Sequence, residues 1–529
     1  MLFTSYGFLG FLAVLFLLYY IVPRKWQWEL LLAASFIFYF LAGAEYVAFV
    51  CVTTVTVWLA ACQIEKNADR QAAYLKEHKA ELSKEEKKAY KDRQKKVRLR
   101  WILGGILLNI GILAVLKYTN FAIANINGIL RAFGQTGTLS FLSLALPLGI
   151  SFYTFQAVGY LIDVYRGTVR AERNLFRFAL FVSFFPQLVQ GPISRFGDLS
   201  ESLYKEHKFD GKTVSFGLQR VLVGYFKKMV IADRMLVGVN AIIRDTDMYH
   251  GAYVLVGMLF YALELYADFT GGIDITIGIA QTLGITLQEN FERPFFSKSL
   301  KEYWRRWHIS MGTWFRDYIF YPISVCRFIQ KFNKFSRRHF GENVGKRLPV
   351  YLSSFVVWFA TGIWHGASWN FIVWGLGNWI VLMVSETLEP LYARFHQRFG
   401  AGGKGYRAFE VVRTFLLVSV LRTFDCYRSV PVTFRMFGSL LTARNWSILW
   451  DGSLLGLGLT ALDFGILALG TFVLVSVSLI QRKGSVRERI AAKPYPLRFA
   501  LWYGLFLVVL LAGAYGIGYD ASQFIYNQF

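Results

Sequence analysis

Charge is scarce in this chain. Asp, Glu, Lys and Arg make up only 17% of its 529 residues, whereas 55% are hydrophobic and the mean hydropathy is +0.39. A water-soluble chain of that length cannot hide so much apolar surface in one core, so the bilayer has to act as solvent. Cysteine is rare as well. Cys51, Cys62, Cys326 and Cys426 show neither paired nor metal-type spacing and lie mostly in or beside apolar segments. A disulfide framework and a zinc module are therefore excluded, and the four read as small buried hydrophobes. No long Pro/Ser linker and no internal repeat is visible, so residues 1–529 read as a single membrane-embedded domain rather than the paired halves of a transporter. A G-x-S-x-G nucleophile elbow and a Walker-type phosphate loop are also missing, which removes two common soluble catalytic designs. No metal-ligating cluster is evident, and no permanently bound cofactor is expected.

Apolar runs dominate what is present, at 2–22, 30–42, 46–62, 101–116, 141–160, 254–265, 350–363, 371–384, 457–479 and 499–518. A helix needs roughly 20 residues to cross about 30 Å of hydrocarbon. With weaker stretches added, the runs predict an all-α polytopic membrane protein of about eleven to thirteen segments, some too short to cross and read as re-entrant. The start "MLFTSY" carries no Lys or Arg and no small-residue cleavage site follows closely, so the first run reads as a helix rather than a cleaved signal.

The formal net charge of +24 does not point to nucleic acid, because the basic residues gather in short loops between apolar runs. That is the pattern of cytoplasmic loops. The segment 65–100 is strongly basic and is expected in the cytoplasm, which puts the N-terminus outside; the loops "PRKWQWE" and "YRGTVRAERNLFR" give the same orientation. Charges in 65–100 alternate in sign at helical spacing and predict a solvated helical hairpin. The stretches 201–212, 331–347 and 394–406 read as connectors, and 481–498 as a further basic loop. Such a basic face suits membrane lipids with anionic headgroups, or the phosphates of a cytoplasmic cofactor.

One stretch stands apart: "YWRRWHISMGTWFRDY", residues 303–318. On a continuous helix Leu300, Tyr303, Trp304, Trp307, Met311, Trp314, Phe315 and Tyr318 fall three and four apart, forming a broad apolar stripe that includes His308. A basic amphipathic helix with Trp at its boundary belongs in the membrane interface, and His308 should point inward. A second histidine, His365, sits deep in apolar sequence in "FATGIWHGASWNFIVWGLGNW", with Gly362 and Gly366 beside it. An ionisable residue at membrane depth is costly and marks a pathway or site, and the glycines permit close approach of backbone or substrate. The remaining histidines, His78, His207, His250, His339 and His396, lie in polar loops.

At these residues the sequence resembles the membrane-bound O-acyltransferase superfamily, in its bacterial branch of alginate O-acetyltransferases and teichoic-acid D-alanyl transfer proteins. The segments that carry the resemblance are "PLGISFYTFQAVGYLIDVYRG", "FFPQLVQGPISRF", "ELYADFTGGIDITIGIAQTLGI", "ENFERPFFSKSLKEYWRRWHISMGTWFRDYIFYP" and "GIWHGASWNFIVWG". The resemblance implies a ring of helices around a thinned membrane region and a central tunnel. It makes His365 the catalytic histidine and His308 its partner, where other branches of the superfamily carry Asn or Asp. Trp304, Trp307, Trp364, Asn290, Asp268 and Asp317 are then candidate supporting groups, with structural hydrogen bonding as the alternative role for the polar ones.

The implied activity is transfer of a small acyl group, acetyl by preference, from a cytoplasmic thioester such as acetyl-CoA toward an exported or cell-surface polysaccharide. Lys298, Lys301, Arg305 and Arg306 are candidates to meet the donor's phosphates, with interfacial anchoring as the alternative. An extracytoplasmic transferase or esterase-like partner, a bacterial plasma-membrane location and no nucleic-acid partner are also expected. The aromatic tail 519–529 contains "FIYNQF", and Tyr526 is a candidate acyl carrier, with an interface anchor as the alternative. Two other readings remain open here: D-alanyl transfer to teichoic acid from a carrier-protein thioester, and a non-enzymatic polysaccharide export subunit.

Overall fold

A computed structural model describes residues 3–135, 137–400 and 402–514; Tyr526 and the tail 519–529 lie outside the described residues. Among those residues the protein is all-α, with no strands and an isolated antiparallel bridge between Phe291 and Trp307. The chain divides into two compact units, Met1–Val214 with Ala280–Leu287, and Ser215–Ile279 with Gln288–Phe529.

In the first unit, two helices carry the polar stretch 65–100. Helix α1 (Val47–Glu77) starts apolar and ends charged, and α2 (Lys84–Ala132) does the reverse. The turn between them is set by Ser83, whose Oγ accepts from the Glu86 amide at 3.2 Å while the Glu86 carboxylate accepts from the Ser83 amide at 2.8 Å. This reciprocal pair satisfies backbone donors that a helix start leaves open. Polar side chains then join the two helices. Asn67 donates to Gln94 at 2.6 Å, and Arg98 donates to Asn67 and Gln71 at 3.0 and 2.9 Å.

The second unit contains α3 (Gly211–Tyr225) from Ser215 onward and most of α4 (Ala252–Thr282), whose apolar stretch is largely buried. A Cβ on Gly278 would stand 2.7 Å from the Gly217 carbonyl oxygen, so the backbones of α3 and α4 meet where the sequence offers glycine. There follow α5 (Leu300–Arg306), α6 (Ile309–Phe315), α7 (Arg327–Gly345), α8 (Arg347–His365), α9 (Trp369–Thr387), α10 (Lys404–Tyr427), α11 (Ala461–Gln481) and α12 (Tyr495–Ala512). The stretch 331–347, read from sequence as a connector, is therefore mostly helix.

Among the described residues five helices are long and apolar enough to cross a bilayer: α1 with its preceding turn, α2, α4, α11 and α12. A sixth appears if α9 and the helix after it, bent by 54°, form one broken span. The multi-pass, all-α architecture holds, but the count of full-length spans is lower than the apolar runs implied. Several runs fold into helices too short to cross alone, such as Tyr6–Ile21 (16 residues) and Gln27–Phe40 (14 residues). The run 141–160 becomes helical only at Ile150, and α10 is interrupted by charge.

Candidate active site

The sequence predicts one continuous helix through 300–318, and the structure breaks it at the histidine. Helix α5 stops at Arg306, Trp307 is extended, and His308 adopts the left-handed conformation with φ 49° and ψ 54° before α6 begins. The cause is a backbone partner outside the helix. The Glu292 amide donates to the Arg306 carbonyl at 2.9 Å, and the Ile309 amide donates to the Asn290 carbonyl at 3.0 Å. A non-glycine residue with positive φ costs on the order of 1–2 kcal/mol and persists only where its surroundings over-determine it. Here aromatic edges supply that constraint: the Phe269 ring lies 4.9 Å from the His308 ring, and Phe291 lies 5.0 Å from Trp307. His308 does point inward, as the stripe implied, and is 1% exposed.

Asn290, a predicted supporting residue, is fully buried against His308. Ser310 sets its orientation, because the Ser310 amide and hydroxyl both donate to Asn290 Oδ1, at 3.0 and 2.9 Å. Asn290 Nδ2 then faces His308 Nδ1 at 3.2 Å, with Oδ1 at 3.4 Å, and the shorter contact suits a ring that accepts at Nδ1. A neutral imidazole that accepts at Nδ1 carries its proton on Nε2. Burial, reinforced by the positive charge of Arg422, pulls His308 down to about 3, so the ring is neutral at ordinary pH.

His365 closes α8, and α9 returns directly alongside. A Cβ on Gly375 would stand 2.5 Å from the Trp358 carbonyl oxygen and 3.1 Å from Gly362 Cα, and one on Gly362 would stand 2.6 Å from the Phe371 carbonyl oxygen. Of the two glycines flagged in the sequence, Gly362 thus serves backbone approach, whereas Gly366 makes room for the Phe371 ring. His365 is buried, with its ring 4.6 Å from Trp374 and 5.0 Å from Trp364. Trp364 also lies 6.0 Å from His308, so one indole touches both histidines, and their centroids lie no farther apart than those two spacings combined.

Sequence reasoning missed Arg422 on α10. The residue is 3% exposed, and its guanidinium stands over three indoles, 4.7 Å from Trp374, 5.3 Å from Trp307 and 5.7 Å from Trp304. It pairs with Asp425 at 3.2 Å. Trp304 is fixed in turn by donating to Asn378 Oδ1 at 3.0 Å. Trp304, Trp307 and Trp374 therefore link the histidine segment to the His365 hairpin through one buried cation. The signal was available: Arg422 and Asp425 stand three apart in an otherwise apolar run, where ionisable residues mark function or pairing.

The other candidates separate. Lys298, Lys301 and Arg305 are exposed, on α5 and just before it, whereas Arg306 is held by Glu302 at 2.6 Å. Asp268, on α4, is completely buried and pairs with Lys228, which also binds Asp233 at 2.7 Å, so it belongs to an ion cluster apart from the histidines' partners. Asp317 pairs with Arg316 at 2.8 Å. Among the described residues no group of three or more His, Cys, Asp or Glu is arranged to hold a metal ion.

Comparison with known proteins places the sequence in a family. A family profile described as membrane-bound O-acyltransferase covers residues 169–331, which include His308. The chain is 32% identical over 451 residues to a probable alginate O-acetylase of Azotobacter vinelandii, spanning 85% of this chain and 79% of that protein. It is 30% identical over 322 residues to a peptidoglycan O-acetyltransferase of Helicobacter pylori, spanning 56% of this chain and 57% of that protein. Over 248 residues it is 29% identical to a teichoic acid D-alanyltransferase of Bacillus subtilis, spanning 46% and 59%. The multi-pass helical chain is an O-acyltransferase, and it belongs to the membrane-bound O-acyltransferase family.

Proposed function

We propose that this enzyme moves an acetyl group from cytoplasmic acetyl-CoA toward hydroxyl groups of an exported or cell-surface polysaccharide, in the plasma membrane of a bacterium. The observation that carries the reading is the pairing of His308 and His365 against Trp364. His365 takes the proton of the attacking hydroxyl, a C–O bond forms at the thioester carbonyl, the C–S bond breaks, and the proton passes to the sulfur so that CoA leaves as a thiol. His308 donates from Nε2 to the carbonyl oxygen as negative charge builds on it. Its neutrality suits that role, because a neutral ring fixed by Asn290 keeps one defined donor. Lys298, Lys301 and Arg305 offer exposed cations for the donor's phosphates; Arg306 is engaged by Glu302 and contributes less.

The relatives' names favour acetyl, since both the alginate and the peptidoglycan proteins are named as acetyl-transferring. D-alanyl transfer from a carrier-protein thioester is the second reading, favoured by the shorter likeness to the teichoic acid protein. An extracytoplasmic transferase would complete delivery to the polymer. The test is release of free CoA from acetyl-CoA by purified protein in proteoliposomes, comparing wild type with His365→Ala. Turnover should fall about 10²–10⁴-fold, the usual worth of a positioned general base. Equal turnover in the variant removes His365 as the base, and no release from wild type removes acetyl-CoA as the donor.

A further inference from the structure

Helix α7 joins the His308 segment to the helix that ends at His365, and its surface is organised in parallel stripes. Phe328, Phe332, Phe335 and His339 recur at spacings of four, three and four; Arg327, Lys331, Lys334 and Arg338 recur at the same spacings one residue earlier. A helix places two such rows side by side along its length. A third row turns to the protein: Ile329 and Ser336 are buried. The aromatic row faces largely outward, with Phe328 67% and Phe335 51% exposed, His339 exposed and Phe332 half-buried. All four cations are exposed, and none forms an ion pair among the described residues. Glu342, the sole acid between residues 327 and 347, is occupied elsewhere, 3.5 Å from Arg337 and 3.2 Å from Lys346. The helix kinks near its end, where Gly341 has φ 74° and Ser336 Oγ donates to the Gly345 carbonyl at 2.9 Å.

We propose that α7 is a binding site for anionic phospholipid, its Phe row seated in the acyl boundary and its Arg327–Lys331–Lys334–Arg338 row on the headgroup phosphates. A basic row beside an exposed aromatic row is the surface of a helix lying in a membrane interface. Unpaired cations at that level gain from anionic headgroups and not from zwitterionic ones. Charge complementarity thus selects the lipid. Helix α7 packs on α8, and so does the turn after α6, so the lipid seats a helix in contact with the element that ends at His365.

The experiment is photocrosslinking of the full chain carrying Phe335→p-benzoylphenylalanine, in vesicles of equal phosphatidylglycerol and phosphatidylcholine, with lipid adducts identified by mass. Phosphatidylglycerol adducts should exceed phosphatidylcholine adducts about fivefold or more, since each basic residue near an anionic surface contributes on the order of 1 kcal/mol. Lys331→Gln, Lys334→Gln and Arg338→Gln together should return the ratio toward parity; all three side chains are exposed, so folding is retained, and monodisperse elution verifies it. Parity in the unneutralised protein overturns the proposal, as do adducts to protein in place of lipid. Loss of the phosphatidylglycerol excess on adding CoA also overturns it, assigning the cations to the donor's phosphates. The readout needs no acyl transfer, so it stands or falls separately from the enzymatic assignment.

Discussion

A guanidinium buried among three indoles is expensive, and Arg422 is retained because its surroundings repay the desolvation. Asp425 supplies countercharge at 3.2 Å, and Trp304, Trp307 and Trp374 supply their ring faces. Each cation–π contact contributes about 0.5–2 kcal/mol, more when water is excluded, and a planar guanidinium stacks where an ammonium cannot. Two substitutions separate charge from shape. Arg422→Met leaves Asp425 buried and uncompensated, which costs about 3–5 kcal/mol, and is expected to lower the melting temperature sharply or prevent folding. Arg422→Lys keeps the charge and should elute as folded protein, yet lose roughly tenfold in kcat for CoA release as the indoles around His365 lose their common stack. Wild-type kcat in the lysine variant would mean that charge alone organises the site, and that the stacking is incidental to His365.

Elements were legible where the signal was local. The three-and-four spacing gave His308 its inward direction, and the glycines around His365 marked a close approach, which α8 and α9 make through Gly362 and Gly375. The break at His308 was not legible, because its cause is residues 290–292, which bond across it and override a strong helical period. Arg422 was missed for a related reason: its spacing to Asp425 on α10 marks a buried pair, but the indoles it stands over come from residues 304, 307 and 374, which no pattern along one helix brings together. The α8–α9 approach gives a sharp prediction. Alanine at Gly375 would push Cβ against backbone, the Trp358 carbonyl oxygen at 2.5 Å and Gly362 Cα at 3.1 Å, neither of which can rotate aside. Overpacking of this kind costs typically about 1–3 kcal/mol, so Gly375→Ala should melt several degrees lower and release CoA more slowly. Gly377→Ala serves as the control, since its Cβ meets only the end of the Leu421 side chain at 3.0 Å, and it should behave as wild type. Equal melting of the two variants would show that the backbone contact does not hold His365 in place.

At the scale of the whole molecule, scarcity of charge made the bilayer the solvent, and it also makes the remaining charge informative. Bulk composition and the two histidine motifs were enough for fold class and family. The number of full spans was not readable, because an apolar run of 14–17 residues looks alike whether it crosses, re-enters or packs inside protein. Orientation rests on a different quantity, the placement of Lys and Arg. The charged ends of α1 and α2 hold 13 Lys and Arg against 7 Asp and Glu within 65–100, and translocating such a hairpin opposes the positive-inside bias. The hairpin is therefore expected in the cytoplasm, on the same side as the proposed thioester donor. Lys79, exposed in the turn between α1 and α2, is the reporter of choice. With the four native cysteines replaced by alanine, Lys79→Cys should resist a membrane-impermeant maleimide in intact cells and react once the membrane is opened. Labelling in intact cells would put the hairpin outside and reverse the expected orientation of the N-terminus. A cytoplasmic donor would then have to be argued from a different face of the protein.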